Sequence, residues 1–121
     1  MNIKSKVLLI ITISLISGCS PNQGQLTIVD NGVITWQSET GEKIVTRFYS
    51  LSDSSLEFVK VILPNGEEYT LPQVVSASGV RYTDEREIVF WMKGETAFVQ
   101  HRALDGEWQI LYDNCRMISK R

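Results

Sequence analysis

At 121 residues the chain has room for one domain around a single core. It carries 12 basic against 14 acidic residues, so no basic stripe is available to neutralise phosphates, which argues against nucleic acid as a partner. A metal centre needs several His, Cys, Asp or Glu ligands converging on one ion; one histidine and, beside a cysteine committed elsewhere, one thiol with no spacing pattern argue against it, and no cofactor is expected.

The chain opens with two positive charges, Lys4 and Lys6, followed by the apolar run VLLIITISLI from Val7 to Ile16. That run is shorter than the ~20 residues a bilayer span requires and has the length of a signal-peptide hydrophobic region. It ends in Ile16-Ser17-Gly18-Cys19, which resembles a lipobox: small residues ahead of a cysteine that is lipidated and becomes the first residue of the mature chain. Residues 1–18 are therefore expected to be a cleaved lipoprotein signal peptide, with Cys19 the lipidation site. A diacylglyceryl group plus an amide-linked chain anchors where a single acyl chain binds only marginally. Ser20 stands where aspartate would favour retention in the inner membrane of a Gram-negative cell. The expected location is the outer membrane, facing the periplasm. Residues 19–25 form the lipidated cysteine and a short polar tether, and residues 26–121 the folded domain. Removing residues 1–18 takes away Lys4 and Lys6 but no acid, leaving 10 basic and 14 acidic residues and a net charge of −4. That charge suits a basic partner and is also an ordinary solubility charge.

The periplasm is oxidising, and small secreted domains there usually carry a disulfide. With Cys19 committed to lipid, Cys115 is left alone. It is either a small buried hydrophobe, the preferred reading, or a free thiol able to pair between chains.

After the tether, short β-patterned runs alternate with turn chemistry, and no internal repeat is evident. Asp30-Asn31-Gly32 reads as a turn before the run VITWQ, Val33 to Gln37. Thr40-Gly41 precedes KIVTRFY, Lys43 to Tyr49. LEFVKVIL, Leu56 to Leu63, ends at Pro64-Asn65-Gly66, a strong hairpin signal, and EEYTL, Glu67 to Leu71, is the return strand. Further strands are expected at Val80 to Thr83, Ile88 to Met92, Thr96 to Arg102 and Glu107 to Tyr112. The turns between them are Asp84-Glu85-Arg86, Lys93-Gly94-Glu95 and Leu104-Asp105-Gly106. Connections this short force antiparallel neighbours. The expected fold is all-β, a small eight-stranded antiparallel barrel, since closure also removes exposed edges.

Catalytic chemistry is poorly supplied. His101 lies between Gln100 and Arg102 at the end of a strand, where a histidine usually faces solvent. Glu85 and Glu87 could suggest a glycosidase pair, but they flank Arg86 in a turn and read as a solvated charge cluster. The chain is not expected to be an enzyme. SASGVRYT, Ser76 to Thr83, reads alone as a loop followed by a core tyrosine, and Lys93-Gly94 as an ordinary hairpin turn.

Together these stretches say more. SASGVRYTDEREIVFWMKGETAFV resembles the core of the membrane-bound and periplasmic inhibitors of c-type lysozyme. The family's SGxxY motif is matched by Ser78, Gly79 and Tyr82, and its aromatic strand ending in Lys-Gly by Phe90, Trp91, Lys93 and Gly94. Asp113-Asn114-Cys115 is similar to the family's closing Asn-Cys, and the likeness continues more loosely upstream through Trp36 to Ser38, covering about 80 residues in all. The resemblance implies an eight-stranded barrel that blocks the lysozyme active site, with a lysozyme-binding set of Ser78, Gly79, Arg81, Tyr82, Lys93 and Gly94. Lysozyme of this class works with a general-acid glutamate and an ionised aspartate. Ser78 would hydrogen-bond those carboxyls and Lys93 would pair with the aspartate. Gly79 would permit close backbone approach, Tyr82 would hold the loop from below, and Arg81 would brace it. The net charge would steer encounter with a basic lysozyme.

Two departures from the family pattern stand out. The cysteine that pairs with the C-terminal one is replaced here by Ser38, so the bridge is missing. The spacing from Ser78 to Lys93 is one residue longer than usual, which is harmless in the Asp84–Glu87 turn but would require a bulge within a strand. The alternative is an envelope-assembly or small-ligand-binding lipoprotein. It predicts an apolar cavity inside the barrel, or a broad exposed apolar patch, and does not require Ser78 and Lys93 to share a rim.

Overall fold

A computed structural model describes residues 24–121 together with Gly18; Cys19 and the expected signal peptide otherwise lie outside the described residues. The eight strands are β1 (Ile28–Gln37), β2 (Lys43–Leu51), β3 (Glu57–Ile62), β4 (Glu68–Val74), β5 (Val80–Thr83), β6 (Ile88–Lys93), β7 (Thr96–Arg102) and β8 (Trp108–Lys120). Each pairs antiparallel with the next, and β8 returns to β1 to close the barrel.

Alternation within the strands fills the interior. Ile34 and Trp36 of β1, Ile44 and Thr46 of β2, Val59 and Val61 of β3, Phe90 of β6 and Val99 of β7 are all buried. Trp36 meets Phe90 edge-on at 5.8 Å. Thr46, a fully buried polar side chain, serves the indole. Trp36 Nε1 donates to Thr46 Oγ1 at 2.9 Å, and Thr46 Oγ1 donates to the Ile34 carbonyl at 3.1 Å. Thr46→Val keeps the shape and leaves the buried Trp36 N–H without its acceptor. Loss of roughly 1–3 kcal/mol is expected, the usual penalty for an orphaned buried donor, measurable by urea denaturation; an unchanged midpoint would show that the indole does not need this acceptor.

Several strand ends move by one to three residues, β4 for example running on to Val74, and two strands differ more from the sequence reading. Asp30-Asn31-Gly32 is not a turn but a bulge inside a longer β1, between the pairs Asp30↔Tyr49 and Gly32↔Phe48. The other is β8, which runs well past Tyr112, through Asn114 at φ 45°, to Lys120.

Up-and-down order sends alternate connections to opposite poles. One pole carries the β1–β2, β3–β4, β5–β6 and β7–β8 turns. Three of these share one design, reading Ser38-Glu39-Thr40-Gly41-Glu42, Leu63-Pro64-Asn65-Gly66-Glu67 and Ala103-Leu104-Asp105-Gly106-Glu107. In each, the first residue's N–H donates to the glutamate carbonyl, and the glycine N–H donates back to the first residue's carbonyl. The fourth turn is held by Asp84, whose carboxylate accepts from the backbone N–H groups of Arg86, Glu87 and Ile88. Burial raises the Asp84 pKa, but these three donors outweigh it and the net shift is downward. Ten of the chain's 14 acids gather at or beside this pole: Glu39, Glu42, Glu67, Glu68, Asp84, Glu85, Glu87, Asp105, Glu107 and Asp113.

The other pole carries the β2–β3 loop, the β4–β5 loop from Val75 to Gly79, the two-residue β6–β7 turn and both chain ends. Thr27 exchanges hydrogen bonds with Ser52 of the β2–β3 loop, and Arg121 exchanges them with Val33.

Candidate functional site: the rim beside the chain ends

Ser78 sits in the β4–β5 loop and Lys93 ends β6, and both are exposed at the pole that carries the chain ends. They are immediate neighbours. A Cβ added to Gly79 would run into the Met92 carbonyl oxygen and lie 3.1 Å from Lys93 Cγ. Gly79 adopts φ +66°, a conformation L side chains rarely take, so the loop is laid directly on the end of β6.

The Ser78 carbonyl fixes that contact. It accepts from Ser76 Oγ at 2.6 Å and from Trp91 Nε1 at 2.9 Å. The Ser78 hydroxyl takes no partner among the described residues and remains available. The pairing Val80↔Met92, Arg81↔Trp91, Tyr82↔Phe90, Thr83↔Val89 runs without a register shift. No bulge lies between the two side chains, and the segment between the strands is taken up wholly in the Asp84 turn.

Tyr82 lies beneath the loop. It is buried, edge-on to Phe48 at 5.9 Å and tilted against Phe90 at 6.3 Å. Burial, helped by the Glu57 charge, pushes its phenol up to about 12, so it stays neutral. Arg81 turns outward, with its guanidinium 5.4 Å from the centre of the Trp91 ring and 3.9 Å from the Glu85 carboxylate. Its guanidinium lies along the outer face of the β5–β6 pair. Gly94 is in the β6–β7 turn with open space around it. Cys19, the expected lipidation site, lies outside the described residues.

Sequence reading gives no role to Trp91, yet its ring lies 4.3 Å from Lys93 Nζ and its N–H holds Ser78. Only its register opposite Arg81 reveals that it faces outward.

Shallow hollows flank the rim. One of about 290 Å³ at the barrel mouth includes Phe48, Glu57, Tyr82, Met92 and Lys120. Another, of about 320 Å³, lies between the β2–β3 and β4–β5 loops, where Leu56 and a fully exposed Val75 meet.

At the opposite end of the barrel, Gln37 pairs with Arg116, and the Glu39 N–H donates to the Asp113 carbonyl at 3.3 Å. Ser38 therefore lies across from Asn114-Cys115. Ser38 Oγ bonds Glu42 Oε2 at 2.8 Å and accepts from the Glu42 N–H at 3.1 Å. Cys115 is a fully buried free thiol. Burial, with the nearby Asp113, Glu42 and Glu39 charges, pushes its pKa up to about 11.

The sequence pattern of the family described as membrane-bound lysozyme-inhibitor of c-type lysozyme matches residues 36–108, more than half of the chain. The chain belongs to this family. A membrane-bound lysozyme inhibitor of C-type lysozyme from Escherichia coli is 32% identical over 112 residues, covering 93% of this chain and 92% of the relative. A protein of the same name from Yersinia enterocolitica is 34% identical over 74 residues, 61% of this chain and 57% of that one, so the matched stretch spans little more than half of the Yersinia protein. The crystal structure of Pseudomonas aeruginosa MliC in complex with hen egg white lysozyme is similar in fold, with TM-score 0.56 and 20% identity over 78% of this chain and 87% of that one. The inhibitor family's barrel is thus present here, and in this member the Ser38–Cys115 position holds no bridge.

Proposed function

We propose that the chain is a membrane-anchored inhibitor of c-type lysozyme that places the Ser78 loop and Lys93 in the enzyme's active-site cleft. One observation carries the reading: an unpartnered hydroxyl and an ammonium that forms no ion pair among the described residues share one exposed rim, locked together through Gly79. A serine hydroxyl donates to one carboxyl while accepting from a protonated other, and an ammonium pairs with a carboxylate. The pair complements a lysozyme's general-acid glutamate and ionised aspartate. The apolar surface at Leu56 and Val75 gives the rim additional area to fill a cleft. Family membership supports the partner, and the relatives' names support attachment to a membrane, with Cys19 as the anchor and the outer membrane's periplasmic side as the location.

The acidic excess lies at the pole opposite this rim. Net charge thus draws a basic enzyme toward the molecule without aiming it at Ser78 and Lys93. An apolar ligand cavity inside the barrel gains no support, because the interior is filled by Trp36, Phe90 and their neighbours, and the hollows described above open to solvent.

The test is the purified full chain against a c-type lysozyme in a cell-wall lysis assay. Ser78→Ala and Lys93→Ala should each weaken inhibition by roughly 10- to 100-fold, the range for a hydrogen bond to a charged group. Absence of inhibition at micromolar protein would reject the function. Inhibition untouched by either substitution would reject this rim as the contact.

A further inference from the structure

We infer that Trp91 is a positioning residue that couples the Ser78 loop to the Lys93 ammonium; the inference rests on the lysozyme reading above and deepens it. Phe90 and Met92 pack into the barrel, so Trp91 and Lys93 between and beyond them face outward. From there the indole acts through two separate parts. Its N–H donates to the Ser78 carbonyl across 13 residues of sequence at 2.9 Å, which holds the loop backbone. Its ring face lies 4.3 Å from Lys93 Nζ, a cation–π contact that holds the ammonium. Phe98 of β7 backs the ring at 5.6 Å and also lies 5.8 Å from Lys93 Nζ, and Arg81 covers the ring at 5.4 Å. The indole is therefore held between neighbours on β5 and β7.

The physical consequence concerns order before binding. A free lysine side chain loses much rotamer freedom when it pairs with a partner. A ring that already confines the ammonium beside the Ser78 loop reduces that loss, and preorganisation appears as affinity. Because one residue holds both groups, the loop and the lysine are not independent contributors.

The experiment uses the full chain in detergent with Trp91→Phe, which keeps a ring face and loses the N–H, and Trp91→Ala, which loses both. Inhibition should weaken roughly 3- to 10-fold for Trp91→Phe and roughly 10- to 50-fold for Trp91→Ala, from one hydrogen bond and one exposed cation–π contact. Lys93→Ala should cost a clearly smaller factor on the Trp91→Ala background than on the wild type, the signature of coupling. NMR of the free chain supplies a readout that a general packing role would not move. Lys93 methylene protons, shifted upfield chiefly by the Trp91 ring, should lose most of that shift in Trp91→Ala, where only the more distant Phe98 ring remains, and keep more of it in Trp91→Phe. The Gly79 amide, which shares a peptide with the Ser78 carbonyl, should shift in both. Equal Lys93→Ala factors on both backgrounds, or unshifted Lys93 protons in the wild type, would overturn the proposal. If the wild-type chain fails to inhibit lysozyme, the lysozyme reading falls, while the NMR shifts still decide whether Trp91 holds the two groups.

Discussion

Replacing Ser38 with cysteine is expected to create a bridge to Cys115 and to stabilise the oxidised chain by roughly 2–4 kcal/mol, the usual effect of a disulfide that closes a long loop. The pairing around Gln37 and Arg116 and the Glu39–Asp113 hydrogen bond bring position 38 opposite Asn114-Cys115. Opposed residues of antiparallel strands lie ~4.5–5.5 Å apart, within the Cα range a disulfide accepts. Both side chains are already buried, at 5% and 0% exposure. The substitution sacrifices the Ser38 bonds to Glu42, which lies on the surface, so little stability is lost there. At about 4–8 °C per kcal/mol for a domain of this size, the melting temperature should rise by roughly 8–32 °C in oxidant and fall back in reductant. Calorimetry with and without reductant, alongside thiol titration, measures both arms. Persistent free thiols after oxidative refolding, or an oxidised form no more stable than the reduced one, would reject the geometry.

The bridge would also change the pH response. Folding raises the Cys115 pKa to about 11. The reduced chain therefore keeps this contribution below the unfolded thiol value of about 8.5 and loses it as the pH climbs through 11. A Ser38→Cys chain, once oxidised, should lack that alkaline loss.

Gly79→Ala is expected to remove more than about 99% of the inhibitory affinity, the combined loss of two charge-assisted contacts, while leaving a folded barrel. A left-handed alanine costs about 1–2 kcal/mol by itself, and here the methyl also meets the backbone of Met92, which is fixed by its pairing with Val80. Neither side can give easily. The loop must lift from β6, taking Ser78 away from both Trp91 and Lys93. Gly66→Ala is the matched comparison: it has φ +88° and nothing within 4 Å, at the opposite pole. It should show a similar conformational cost by thermal melt and keep wild-type inhibition. Full inhibition by a folded Gly79→Ala chain would exclude the loop from the contact.

The sequence makes the hairpins legible because turns rich in glycine, aspartate and serine separate runs of alternating apolar residues, and eight strands follow from that pattern. It misleads where one chemistry serves two structures. Asp30-Asn31-Gly32 has turn residues because a bulge also accommodates a glycine at positive φ. The end of β8 is hidden for a different reason. Ile110, Leu111, Met117 and Ile118 are all exposed, so no clean two-residue period marks the segment, and Asp113-Asn114 resembles a terminus. Yet Arg116 to Lys120 is the part that pairs with β1 and closes the barrel. At the rim, Ser78, Lys93 and Tyr82 are legible through motif resemblance. Trp91 is not, since its role depends on facing outward between Arg81 and Phe98, and that requires the register of three strands.

Strand β1 begins and β8 ends at the rim that carries Ser78 and Lys93, which would set the attitude of a molecule anchored through its N-terminal segment. With the anchor at Cys19, nine residue steps lead to Ile28 at the start of β1, at most about 30 Å of fully extended chain. On the anchor proposed at Cys19, that length of chain would keep the Ser78–Lys93 rim on the membrane side and put the acidic pole outermost, away from an anionic surface. An enzyme arriving from the cell-wall side would then have to pass the barrel's flank and enter a gap no taller than that length of chain. Headroom beneath the barrel, as well as the chemistry of its rim, would limit how large an enzyme can be captured without releasing the anchor.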